Sequence, residues 1–212
     1  MIHFIGNSHV NTFSGSPALS YESCVPNFKL YHLGGIIAYN FNDNHLPKVE
    51  DILKKYVDKK NDYVSIVVGE VDCRVHLPLQ ADRQNNTDYI IVEECLNRLF
   101  LAIDKIHEQG YKQIMFSTHP TTTLPHDMSK KDRPIYSSME RRNNICLFWN
   151  NILCRKCHQR KIPFISFYDL LVDKDNVTKM EYYLDYCHLN SEMIIEKIID
   201  RLLIARINND HK

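Results

Sequence analysis

A serine stands just past a short apolar run at one end of this chain, in Ile2-His3-Phe4-Ile5-Gly6-Asn7-Ser8-His9. At the other end, Asp185-Tyr186-Cys187-His188 stands just before an apolar helical pattern. A serine hydroxyl is a weak nucleophile until a base takes its proton. His188 has the chemistry of that base. Asp185 lies three residues earlier, so it can reach the second imidazole nitrogen, fix the tautomer and stabilise the imidazolium that forms. The chemistry open to Ser8, His188 and Asp185 is therefore acyl transfer through a split triad. Such a reaction also needs donors for the developing oxyanion. The Ser8 backbone N–H is one. An N–H of Gly34 or Gly35 is the expected second, because only glycine lets the backbone come so close. Taken alone, Asp-x-x-His reads as a helix-capping segment and Gly34-Gly35 as a plain turn. Their positions among the strands and helices make the case.

Five short runs rich in β-branched and aromatic residues predict strands over 2–5, 28–32, 63–68, 112–117 and 162–167. Helical spacing predicts helices over 46–59, about 89–109, 138–160 and 191–207. Asp43 or Asn44 is available to cap the first and Asn190 the last, and Gly110 stops the second. This alternation predicts an α/β fold, a single domain over 1–212 with three α/β/α layers around a five-stranded parallel sheet, flavodoxin-like in form. Ligands of such sheets bind at the carboxyl ends of the strands. Ser8, Gly34-Gly35, the segment 69–74 and Thr118-His119-Pro120 each follow a predicted strand, so one sheet edge would gather them. The loop 119–136, with three prolines and two histidines, is expected to be a lid or an irregular excursion.

Composition narrows the function classes. The 212 residues carry 26 basic and 26 acidic side chains, so bulk charge gives no reason to expect nucleic acid or an anionic membrane as partner. No apolar stretch approaches the roughly 20 residues of a membrane span. The first residues run straight into a strand with no basic, apolar leader pattern, and seven dispersed cysteines read as reduced thiols. The expectation is a cytoplasmic protein. Cys154-Arg155-Lys156-Cys157-His158 matches a haem attachment pattern literally but lies inside an amphipathic helix, and no second Cys-x-x-Cys exists to complete a zinc site. No metal or organic cofactor is expected. Cys73 and Cys187 read as packing thiols. His9 is expected to orient Ser8 or simply to begin the next helix, and His119 to line a pocket or sit in a surface loop.

These residues resemble the SGNH/GDSL hydrolase family over nearly the whole chain. The family's first block, Gly-Asp-Ser after strand one, is matched by Gly6-Asn7-Ser8. Its second block contributes an oxyanion glycine, matched by Gly34 or Gly35. Its third, Gly-x-Asn-Asp, is matched by Gly69-Glu70-Val71-Asp72, and its last, Asp-x-x-His, by Asp185 to His188. Two departures stand out. Asn7 replaces an aspartate, at a position that is mainly structural. Val71 replaces the family's oxyanion asparagine, and a valine donates no hydrogen bond; loss of one such donor costs about 10²–10³ in rate in other systems. Arg74 is the nearest candidate to make good the loss. Glu70, Asp72 and Arg74 read either as substrate-binding groups, with His119, or as a structural ion-pair cluster. The resemblance implies an esterase acting on acetyl or another short acyl group of a small-molecule or glycan ester, with a carbohydrate as the expected substrate. Two alternatives stand beside it: an intracellular sugar O-acyltransferase on the same scaffold, and a catalytically silent glycan- or protein-binding module.

Overall fold

In a computed structural model of the chain, residues 1–120, 134–185 and 187–205 are described, together with the backbone of 206–210. Most of the loop 119–136, and the role expected of it, lies outside these residues. The strands are β1 (Ile2–Gly6), β2 (Phe28–His32), β3 (Tyr63–Val67), β4 (Lys112–Gln113), β5 (Met115–Phe116) and β6 (Phe164–Ile165). The helices are α1 (Phe41–Asn44), α2 (Leu46–Tyr56), α3 (Leu77–Arg83), α4 (Asp88–Glu108), α5 (Met139–Gln159), α6 (Tyr168–Leu171) and α7 (Ser191–Asp210).

All the strand pairings are parallel, as expected, but they form a four-stranded sheet in the order β2-β1-β3-β4 and a two-stranded sheet of β5 and β6, rather than one sheet of five. The cause lies in one run of chain. Lys112 and Gln113 pair with Tyr63 and Val64, and the Ile114 N–H still donates to the Val64 carbonyl (3.0 Å). The Met115 N–H then turns to the Pro163 carbonyl (2.9 Å), handing the chain from β3 to β6.

β1 is central, paired on both sides, and every one of its residues is buried. Its side chains alternate between two cores, as a strand's period of two requires. Ile5 joins Leu53, Leu99 and Trp149 beneath α2, α4 and α5, whereas Phe4 stacks on Phe13 (ring centroids 3.9 Å) in a core shared with α7 through Ile198. These are the three expected layers. Helix starts differ in part from the sequence reading. Thr87 and Ser138 cap α4 and α5 through their hydroxyls, but α2 follows His45 with no side-chain cap, and Asn190 Oδ1 has no hydrogen-bond partner among the described residues. The short helix α1 occupies the segment from which a cap for α2 was expected.

Two glycines fix the carboxyl edge of the sheet. A Cβ on Gly6 would stand 2.0 Å from the Val67 carbonyl oxygen, so only glycine lets β1 and β3 close up at the point where Asn7 begins. Gly69 takes φ +116°, and a Cβ there would strike the Trp149 ring at 2.7 Å. It turns the chain off β3 towards a π-helical turn, Asp72–His76, that carries Arg74.

Candidate active site

Ser8 opens a 3-10 turn, Ser8–Phe13, directly off the central strand. Asn7 caps that turn: its Oδ1 accepts from the His9 N–H (3.1 Å), while its Nδ2 donates to the Ile36 carbonyl (3.2 Å). The second bond explains asparagine at this position, since a carboxylate could not make it. It ties the serine turn to the loop that holds Gly34 and Gly35. Asp72 holds the same loop from below, both of its oxygens accepting from the Ala38 N–H at 3.0 and 3.1 Å. Burial pushes the Asp72 carboxyl up to about 6, against the pull of these backbone bonds.

Ser8 and His188 meet although 180 positions separate them: His188 Nε2 lies 2.8 Å from Ser8 Oγ. His188 Nδ1 lies 2.9 Å from Asp185 Oδ2. The other Asp185 oxygen accepts the backbone N–H groups of Cys187 and His188, both at 2.8 Å. Burial opposes ionisation of Asp185, but the His188 ring and these N–H donors outweigh it and hold the carboxyl well below the usual range. An ionised Asp185 fixes a proton on His188 Nδ1, which leaves Nε2 as an acceptor facing the Ser8 hydroxyl.

A cleft of about 360 Å³ opens over this pair. Ser8, Gly34, Gly35, Val71, Arg74 and His188 line it. No atom stands within 4 Å of a Cβ built on Gly34 or Gly35, so both face open space. Of the four residues expected to bind substrate, Arg74 alone is in the lining. Glu70, Asp72 and His119 are buried behind it, 1%, 0% and 3% exposed.

Those buried groups form a second polar layer. His9 Nε2 lies 2.7 Å from Glu70 Oε2, and Arg74 Nε donates to Glu70 Oε1 (2.8 Å). Burial opposes the Glu70 charge, but His9 and Arg74 outweigh it and hold the carboxyl far below the usual range. The residue after the serine is thus linked through Glu70 to Arg74, whose guanidinium lines the cleft. Asp72 stands apart from this pair, so the charged segment is divided between an ion pair and a loop brace. His119 Nε2 bonds the Cys187 carbonyl (2.9 Å). A carbonyl only accepts, so that nitrogen carries the proton; burial, then His9, pushes His119 down to about 3, and it is neutral. It steadies the segment that holds His188. Cys73 is buried and burial raises its thiol well above the usual range; Cys187, also read as a packing thiol, is buried but lines the cleft with its Sγ 3.5 Å from His188 Nδ1. His9, Glu70 and His119 offer ligand atoms within 4.8 Å of one another, as do Asp185, Cys187 and His188; these are the candidate metal-holding groups among the described residues.

Tyr21 and His32, which the sequence reading did not single out, stack at 4.0 Å and 19° on the cleft wall. Tyr21 comes from the irregular segment between Ser14 and Val25, where no periodic signal marks a residue as facing a site.

No protein-family model matches the chain, and no curated protein matches it. Solved structures do. A protein assigned as an acylhydrolase from Bacteroides fragilis is 17% identical, with a TM-score of 0.59 covering 100% of this chain and 88% of its own. One assigned to the G-D-S-L lipolytic family, from Desulfitobacterium hafniense, is 14% identical at TM-score 0.58, covering 96% of this chain and 98% of its own. An acetylxylan esterase from Geobacillus stearothermophilus, solved with its catalytic serine replaced by alanine, is 12% identical at TM-score 0.54, covering 94% and 92%. At these identities the likeness is one of fold. Among the described residues no helix is long and apolar enough to cross a membrane. The chain has the fold of the SGNH/GDSL hydrolases.

Proposed function

We propose that this protein is a serine esterase that removes acetyl or another short acyl group from a carbohydrate. The observation that carries the reading is the unbroken line from Asp185 Oδ2 through His188 to Ser8 Oγ, with contacts of 2.9 and 2.8 Å at the floor of an open cleft. Ser8 Oγ attacks the ester carbonyl while His188 Nε2 takes its proton. Asp185 stabilises the imidazolium. The Ser8 N–H and an N–H of Gly34 or Gly35 hold the oxyanion. His188 then gives its proton to the leaving alcohol, and water, activated in the same way, frees the acyl group from Ser8. None of these steps uses a metal or an organic cofactor.

The carbohydrate and the acetyl group are supported by two fold neighbours that are acetylxylan esterases, the Geobacillus stearothermophilus enzyme among them, and by the stacked Tyr21–His32 pair, whose flat apolar face suits a sugar ring. Seven cysteines, none of them in a disulfide among the described residues, support a reducing, cytoplasmic setting. An O-acyltransferase would share every step up to the acyl-serine and differ only in passing the acyl group to a sugar hydroxyl instead of water.

The test is acetate release from O-acetylated xylo-oligosaccharides. Turnover is expected from the wild type, and none above background from Ser8→Ala. If an added unacetylated sugar captures the acetyl group in preference to water, transfer is the reaction; if neither acetate nor acetylated acceptor appears and Ser8 takes no phosphonate label, the esterase reading fails.

A further inference from the structure

Arg74 is a permanent cation, 5% exposed, in the lining of the cleft that holds Ser8 and His188. Holding a guanidinium out of water is costly unless its donors are satisfied. Two of them are. Nε donates to Glu70 Oε1, and Nη1 donates to the Pro134 carbonyl, both at 2.8 Å. Together these bonds fix the plane of the fork. Among the described residues Nη2 makes no hydrogen bond, so the outer end of a rigid guanidinium is left to the cleft.

A purely structural Glu70–Arg74 pair would account for Nε but not for this outer end. Glu70 itself is 1% exposed and is not part of the cleft lining, so it does not place its charge on that surface. No aspartate or glutamate is in the lining among the described residues; besides Arg74 it holds three imidazoles (His9, His32 and His188), the Ser8 hydroxyl, the Tyr21 phenol, the Cys187 thiol and the Asn7 amide, with glycine and apolar groups. The ionised Asp185 also acts on Arg74, but it is bonded to His188 and is not in the lining, so the surface of the cleft presents a braced cation and no carboxylate, which is complementary to an anion.

We infer that the ester this cleft accepts carries an anionic group, most simply the carboxylate of an acidic sugar, and that Arg74 receives it. The inference rests on the serine-esterase reading and deepens it by naming the substrate class. It also gives Arg74 a different role from replacing the oxyanion donor missing at Val71. An oxyanion donor acts on the transition state of every ester, whereas an anion receptor acts on binding and only on charged ones.

The experiment compares a mono-O-acetylated glucuronic acid with the glucose acetate of the same regiochemistry, which differ only in carboxylate against hydroxymethyl. The wild type should favour the acid by about tenfold or more in kcat/KM, the discrimination of a charge-assisted hydrogen bond. In Arg74→Gln this ratio should fall towards one, with the loss on the acid carried by KM rather than kcat. Arg74→Lys, which keeps a counter-ion for Glu70, should restore part of the ratio, and its circular dichroism and melting profile guard against an unfolded variant. Equal kcat/KM for the two acetates in the wild type overturns the inference, and needs no variant. So does a matching loss of kcat on both acetates in Arg74→Gln, which would mark an oxyanion donor. Phosphonate labelling of Ser8 in the same samples separates the two readings: discrimination absent with Ser8 labelled sinks the anion alone, whereas no turnover and no label sinks the esterase.

Discussion

His188→Ala and Ser8→Ala are each expected to lower kcat on an acetyl ester by roughly 10⁴–10⁶-fold, and the double variant to lose little more than either. The reason is geometric. His188 Nε2 stands 2.8 Å from Ser8 Oγ, and in acyl transfer through this pair neither group has a function without the other. Removing one therefore removes the step, not a share of it. Asp185→Asn should cost less, about 10³–10⁴-fold, because it leaves the base in place but deprives its Nδ1 proton of a carboxylate. Steady-state kinetics of the three single variants and the double variant check this. Losses that multiply in the double variant would mean that Ser8 and His188 act independently, which a shared proton transfer does not allow.

Glu70→Ala is expected to cost about 3–5 kcal/mol of stability, although Glu70 is almost wholly buried and is not in the cleft lining. It is the shared partner of His9 and Arg74. Removing it leaves a guanidinium 5% exposed with its counter-charge gone, and frees the residue next to the serine. Urea unfolding at pH 7 measures the loss; Glu70→Gln, which keeps the shape and one acceptor, should fall between wild type and alanine. The penalty should depend on pH in a defined direction. The folded-state carboxyl is held far below its unfolded value, near 4.3, so the folded protein binds fewer protons in the interval between them. Stability from this group is then fully present above about pH 5 and is lost as pH falls towards the folded value. The gap between wild type and Glu70→Ala should therefore narrow in acid. A gap that is small at pH 7, or that widens in acid, would show that the pair is not ionised.

Much of this was legible in the sequence because local rules carry it. A run such as Tyr63-Val64-Ser65-Ile66-Val67 has few readings other than a buried strand, and parallel strands deliver whatever follows them to one edge. Ser8, Gly34, Gly35 and Arg74 do line one cleft with His188 for that reason. What periodicity could not show is how polar side chains pair across the chain. His9 and Glu70 are neighbours through two strand ends, and nothing in either local segment says that their side chains meet. The same limit applies to Asp72. A carboxylate past a strand end reads as a site residue, yet its partner is a backbone N–H on a loop 34 positions earlier. The division of the sheet was hidden for a related reason, since residues 112–117 read as one strand and it is their neighbours that change midway. Even the asparagine at position 7, a departure from the family pattern, takes its meaning from the distant Ile36 carbonyl.

The central claim is that Ser8 is an activated nucleophile, and covalent labelling tests it without any knowledge of the substrate. The intact protein is treated with a fluorophosphonate, which loses fluoride as it bonds to an activated serine, and the product is read by intact and peptide mass spectrometry. The predicted result is a single adduct on Ser8 that is absent from both Ser8→Ala and His188→Ala. An unlabelled wild type, or an adduct that persists in Ser8→Ala, would contradict the claim.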